Sequence, residues 1–203
     1  MKKWDKLANE KSIRKTVEAL KVHGIESIIV ENGKDAKKKV LEILPKGAEV
    51  MNMSSTTLEE IGITKEIMES GNYNPVKKKL MSMDRKTHGR EMNKLGAAPE
   101  WAVGSVHAVT EDGSVLIASN TGSQLPAYAY GASKVLWVVG IQKIVKDVQE
   151  GIKRVYDYSQ KLESERMKRL YGIPSFVSKL LIINKEIIPG RITMILVKEK
   201  LGF

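Results

Sequence analysis

Two short apolar runs, IESIIV from Ile25 and AEVMNM from Ala48, flank the segment ENGKDAKKKVLEILPKG. Neither run alternates cleanly between apolar and polar residues, which is the pattern of a strand covered on both faces. The segment between them reads as a turn, a helix and a stop. Strand, helix and strand within about 30 residues make a βαβ unit, and such units build parallel sheets through right-handed crossovers. That unit restricts the chain to the α/β class before any other part of it is read.

The rest of the sequence extends this frame. Leu7, Ile13, Val17 and Leu20 recur at near-helical spacing, and Gly24 supplies a stop, so an N-terminal amphipathic helix is expected. The stretch WAVGSVHAVTEDGSVLIAS reads as a strand, a turn over Glu111, Asp112 and Gly113, and a second strand, that is, a β-hairpin. KVLWVVG is a further buried strand, and LLIINKEIIPGRITMILV reads as two strands joined through Pro189 and Gly190. From Pro75 to Leu95 the pattern is helical but polar, interrupted at Gly89. A long helix is expected from Ile144 to Leu170, with Ile144, Val148, Ile152, Val155 and Leu162 on its apolar stripe. Parallel βαβ beginnings with a later antiparallel hairpin predict a three-layer α/β sandwich around a mixed, mostly parallel sheet. With 203 residues the chain has material for one core. The expected division is an N-terminal helix, 1–24, packed on a single domain, 25–203.

Composition narrows the function. There are no cysteines, so disulfides, thiolate nucleophiles and cysteine-ligated iron–sulfur clusters are excluded within this chain. His23, His88 and His107 show no ligand spacing, and no metal site is expected. No apolar run approaches the roughly 18 residues of a membrane span, and MKKWDKLANEK is charged where a signal peptide would be apolar, so a cytoplasmic protein without membrane insertion is expected. The net charge of +10 raises nucleic-acid binding, but the excess is spread along the chain, which fits solvated faces better than a phosphate-binding patch. No Walker loop, GxGxxG or Ser-His-Asp order supports nucleotide use or serine hydrolysis.

Two polar loops remain. Ser54, Ser55, Thr56 and Thr57 follow the second strand, with Thr56 and Glu59, or Thr57 and Glu60, spaced as a capping box. The same arrangement at the carboxyl end of a parallel strand also suits anions. Asn120, Thr121, Gly122 and Ser123 lie in SNTGSQLP between two apolar runs and offer small donors beside a glycine, which suits carboxylate or phosphate oxygens. Lys143 stands where it could meet an anion at the same mouth, although a solvated lysine fits that position as well. Tyr128 and Tyr130 alternate with alanines and are placed to line the mouth or to pack.

The stretch from WAVGSVHAVTEDGSVLIASNTGSQ through KVLWVVGIQKIVKDVQEGIKRV resembles the central signature of the LUD domain family, the lactate-utilisation protein C-like proteins. SSTTLEEIGI and GRITMILVKEKLGF resemble two further pieces of that family, in the same order. The resemblance implies a fold similar to ribose-5-phosphate isomerase, glucosamine-6-phosphate deaminase and the CoA transferases. It implies a role in lactate or hydroxy-acid utilisation, as an enzyme or an accessory subunit, with a partner subunit carrying the iron–sulfur clusters. Longer relatives carry cysteines before the final strands, where YGIPSFVSKLLIINKE has none. By the same resemblance, the acidic turn at Glu111 is a candidate nucleophile, a CoA ester or phosphorylated compound is a candidate ligand, and a homo-oligomer is open. The alternative reading is a non-catalytic subunit that senses a metabolite or supports assembly.

Overall fold

The computed structural model describes residues 3–203. Its centre is a six-stranded sheet built from β1 (Glu26–Val30), β2 (Glu49–Asn52), β3 (Asn74–Pro75), β4 (Trp101–Gly104), β7 (Lys134–Gly140) and β10 (Ile192–Val197), in the spatial order β1-β10-β7-β4-β2-β3. Every pairing in it is parallel. The two central strands, KVLWVVG and ITMILV, are buried from Val135 to Gly140 and, apart from Thr193, from Ile192 to Val197, as a sheet covered on both faces requires.

Side chains along these strands alternate between two cores. Leu136, Val138, Ile195 and Val197 pack with Val40 of α2 (Gly33–Ile43), Leu58 of α3 (Thr56–Glu60) and Ile63 and Ile67 of α4 (Ile63–Glu69). Val135, Trp137, Met194 and Leu196 pack with Ile13 and Leu20 of α1 (Glu10–Val22). The result is a three-layer α/β sandwich. The chain leaves α1 through Gly24, whose φ is 74°. A Cβ there would stand 2.1 Å from the Glu186 carbonyl oxygen, so this turn requires glycine.

Four strands lie outside the central sheet. β5 (Ala108–Thr110), β6 (Val115–Ser119), β8 (Ile144–Val145) and β9 (Lys179–Ile183) form a second sheet in the order β8-β5-β6-β9. The hairpin of β5 and β6 is antiparallel, as its turn residues predict. The preceding WAVG, however, is not part of it. β4 stays in the central sheet, and the chain steps across through Ser105, Val106 and His107. The two terminal strands are likewise split, β9 pairing with β6 and β10 lying between β1 and β7. The second sheet turns Val109, Val115 and Ile117 toward Trp137, and Ala108 and Leu116 toward Val148 and Ile152.

Three local expectations need correction. The α3 cap is Ser55, whose side chain accepts the Leu58 N–H, rather than Thr56 or Thr57. α5 (Val76–Met81) and α6 (Arg85–Ala97) divide the polar helical region, and the irregular residue within α6 is His88, one position before Gly89. The long helix starts later than its apolar stripe suggests, because Ile144 and Val145 pair with Val109 and Thr110. α7 (Val148–Arg154) begins after the Asp147 cap, and a π-helical turn at Val155–Ser159 joins it to α8 (Gln160–Tyr171).

Candidate functional site

Three neighbouring strands of the central sheet, β7, β4 and β2, deliver their carboxyl ends to one cleft of about 570 Å³. β2 leads into Ser54, Ser55, Thr56 and Thr57; β4 leads into Ser105 and His107; β7 leads into a 3-10 turn, Ile141–Lys143, that ends in Lys143. The carboxyl edge of a parallel sheet is where α/β proteins bind ligands. The end of β6 brings Asn120, Thr121 and Ser123 to the same cleft. The second sheet thus folds its loop over the mouth of the first.

Lys143 is 2% exposed. Its Nζ donates to Thr57 Oγ1 at 3.0 Å and to Ser105 Oγ at 3.1 Å. No carboxylate forms an ion pair with it among the described residues. Burial, reinforced by repulsion from Arg154 and only partly offset by Glu60, brings its pKa down from 10.5 to about 7. A solvated helix lysine, the other reading of this position, does not describe it.

His107 sits beside this amine. Its Nδ1 accepts the Ala118 N–H at 3.1 Å, so the ring proton belongs on Nε2. Burial, then Lys143 and Arg154, push its pKa down to about 3, and the ring is neutral. Arg154 is buried behind it, bonding the His107 carbonyl and the Ser159 hydroxyl, while its Nε and Nη2 find no partner among the described residues. Its guanidinium carbon lies 5.2 Å from the centre of the Tyr158 ring.

The mouth is also cationic. Lys77 donates to Ser54 Oγ at 3.2 Å, and burial lowers its pKa. Arg85 lines the cleft, as does Arg166, which is held by Glu163 through two bonds of 2.8 and 2.9 Å. Tyr128 closes one side, edge-on to Trp137 at 5.4 Å. Its buried hydroxyl makes no hydrogen bond of normal geometry among the described residues, and burial, partly offset by the nearby Trp137 side chain, raises its pKa. The paired expectation for Tyr130 fails, since that side chain is 84% exposed and does not line the cleft.

The predicted residues thus divide. Ser54 to Thr57, Asn120, Thr121, Ser123 and Lys143 come together. Gly122 does not line the cleft; at φ 86° it turns the loop, and a Cβ on it would meet Lys179 Cδ at 2.6 Å. Glu111 is on the hairpin turn beside α1, where it accepts from Ser12 Oγ at 2.7 Å and from Lys15 Nζ at 3.1 Å. The Ser12 bond, then Lys15, lowers its pKa, and it is not among the cleft residues. The structure thus places Glu111, the candidate nucleophile, against α1 and does not bring it to the cleft. Ser105, His107, Lys77 and Arg166 were not singled out in the sequence; the Gly104-Ser105 pair inside an apolar run is the one local sign of the break that exposes the first two.

Ser54 to Thr57, Ser105, His107, Asn120, Thr121, Ser123, Tyr128 and Lys143 lie in the segments that carry the family resemblance, while Lys77, Arg85 and Arg166 lie outside them. The sequence matches the LUD domain family over residues 13–197, and the chain belongs to that family. Among solved structures it is similar to the crystal structure of a DUF162 family protein from Deinococcus radiodurans, with a TM-score of 0.57 over 95% of this chain and 99% of that one. At 10% identity that likeness concerns the fold. No curated protein matches the sequence. Among the described residues no helix is long and apolar enough to cross a membrane, and no group of three or more His, Asp or Glu side chains could hold a metal ion.

Proposed function

We propose that this LUD domain binds a small organic or phosphorylated anion in the cleft, with Lys143 as the central cation. The observation that carries this reading is the state of Lys143: a buried amine bonded to two hydroxyls with no carboxylate ion-paired to it. Burying an ammonium without a counter-charge costs on the order of several kcal/mol, and such a cost is retained where a ligand supplies the missing charge. The Thr57 and Ser105 hydroxyls flank the amine, and Lys77 with Ser54 adds a second cation and hydroxyl to the same cleft, which suits a carboxylate or phosphate.

A lactate-type hydroxy acid or its oxidised counterpart fits the small polar floor, and a phosphorylated or CoA-linked acid would extend toward Lys77, Arg85 and Arg166 at the rim. The protein then acts in hydroxy-acid metabolism as an enzyme or as an accessory subunit whose iron–sulfur partner supplies electron transfer, since this chain has no cysteine. A ligand bound only by the native state raises the melting temperature by mass action. A thermal-shift screen against lactate, pyruvate, sugar phosphates and CoA esters should give shifts that vanish in Lys143→Met. Shifts of equal size in that variant would remove Lys143 from the site.

A further inference from the structure

A lysine side chain attacks a carbon centre only after losing its proton, and at neutral pH an ordinary solvated lysine almost never has. The cleft floor is arranged to release that proton. Nζ is desolvated and has no carboxylate to hold its charge, while the buried Arg154 guanidinium repels the ammonium form.

The two hydroxyls around the amine are not equivalent. Thr57 Oγ1 donates its own hydrogen to the Leu201 carbonyl at 3.3 Å, so toward Nζ it acts as an acceptor. Ser105 Oγ, 3.1 Å from Nζ, donates to no other group among the described residues, and its hydrogen is free to turn to the lone pair of a neutral amine. His107, neutral and carrying its proton on Nε2, offers a second donor at the cleft wall without adding charge. A neutral nucleophile, one hydroxyl able to relay a proton and one uncharged N–H donor meet where an anion is drawn in by Lys77 and the Ser54–Thr57 loop.

We infer that Lys143 captures a small 2-oxo acid covalently, as an imine at its carbonyl carbon, an inference that rests on the anion-binding reading of the same cleft. The Nζ lone pair forms the C–N bond as the carbonyl π pair moves to oxygen. One N–H proton passes to that oxygen, with Ser105 as relay, to give the carbinolamine. Its hydroxyl then leaves with the second N–H proton as water, and the C=N bond remains. No oxidant or reductant is consumed. The carboxylate, one bond from the reacting carbon, is held by Lys77 and by the Ser54 and Thr56 hydroxyls, since the Thr57 hydrogen is committed to the Leu201 carbonyl.

The test is reductive trapping of the intact protein with pyruvate or glyoxylate and cyanoborohydride near pH 7, followed by mass spectrometry of peptides. The expected result is one adduct on Lys143, heavier by the acid less one oxygen atom. The adduct should be absent with lactate, absent in Lys143→Arg, which keeps the positive charge, and slowed in Ser105→Ala, which keeps the amine. A thermal shift with pyruvate in the absence of any Lys143 adduct overturns the imine and leaves the anion-binding reading standing. Adducts distributed over surface lysines, equal in Lys143→Arg, also overturn it. Absence of both shift and adduct overturns the two readings together.

Discussion

Lys143 Nζ donates to Thr57 Oγ1 at 3.0 Å, joining the turn after β7 to the first turn of α3 across 86 positions of sequence. Thr57 Oγ1 in turn reaches the Leu201 carbonyl, and Gln142 Nε2 donates to the same carbonyl at 2.8 Å. A Cβ at Gly202 would lie 2.5 Å from Thr57 Oγ1, so the segment after β10 is pressed directly against the loop that holds the amine. Three distant pieces of chain therefore fix one ammonium group, and each prediction below follows from that arrangement or from what lies outside it.

Replacing Lys143 by Met removes a buried charge and keeps its volume. Exchanging a buried, incompletely compensated ion for a hydrophobic isostere is neutral or stabilising by about 1–4 kcal/mol. Chemical denaturation should show Lys143→Met at least as stable as the wild type near pH 7, while its anion-induced thermal shift is lost.

The pH dependence of stability has a definite sign. The Lys143 pKa falls from 10.5 in the unfolded chain to about 7 in the folded one, so between these values the unfolded state binds more protons. Stability from this residue therefore rises with pH across that window and its cost is full below about 7. The difference in unfolding free energy between wild type and Lys143→Met should shift in favour of the wild type from pH 7 to pH 10, by about 1.4 kcal/mol for each unit traversed at most.

Gly104 has no room for a side chain. A Cβ there would stand 1.7 Å from Tyr128 Oη and 3.2 Å from Met53 Cβ. Gly104→Ala should cost about 1–3 kcal/mol through displacement of Tyr128. Because the atom that clashes is the Tyr128 hydroxyl, Tyr128→Phe should recover part of the loss in the double variant. Thermal denaturation of the four proteins measures that coupling.

Glu111 ties α1 to the hairpin turn through Ser12 and Lys15, away from the cleft. Glu111→Gln should lower stability by about 0.2–1 kcal/mol, the range of a partly exposed ion pair, and leave anion shifts unchanged. Its carboxylate pKa is lowered in the fold, so this contribution is present at neutral pH and disappears as acid protonates the group.

The architecture was legible where local pattern and burial agree. IESIIV and AEVMNM become parallel strands of one sheet, paired to other strands and not to each other, and KVLWVVG shows the two-faced burial its composition predicts, whereas IESIIV, expected to be covered on both faces, is a partly exposed edge strand. The break at Ser105–His107 had only the Gly104-Ser105 pair as a local sign, because Val103, Val106 and Ala108 around it are all apolar. What ends the strand is tertiary: the His107 N–H goes to the Leu116 carbonyl of the second sheet. Lys143 was legible as a candidate but not in its state. Its burial depends on the two-residue strand Ile144–Val145, too short to stand out from the helical stripe that follows. Glu111 misled for the opposite reason, since an Asp-Gly hairpin turn looks the same in sequence whether it faces a ligand or α1.

The central claim, a buried amine awaiting an anion, is tested most directly by following the lysine Cε resonances by NMR as pH is varied, with Lys143→Arg to assign the signal. The account predicts that the Lys143 signal titrates near 7 and moves to higher pH when a bound carboxylate stabilises the ammonium. Titration in the ordinary lysine range, unchanged by every anion tried, would contradict it.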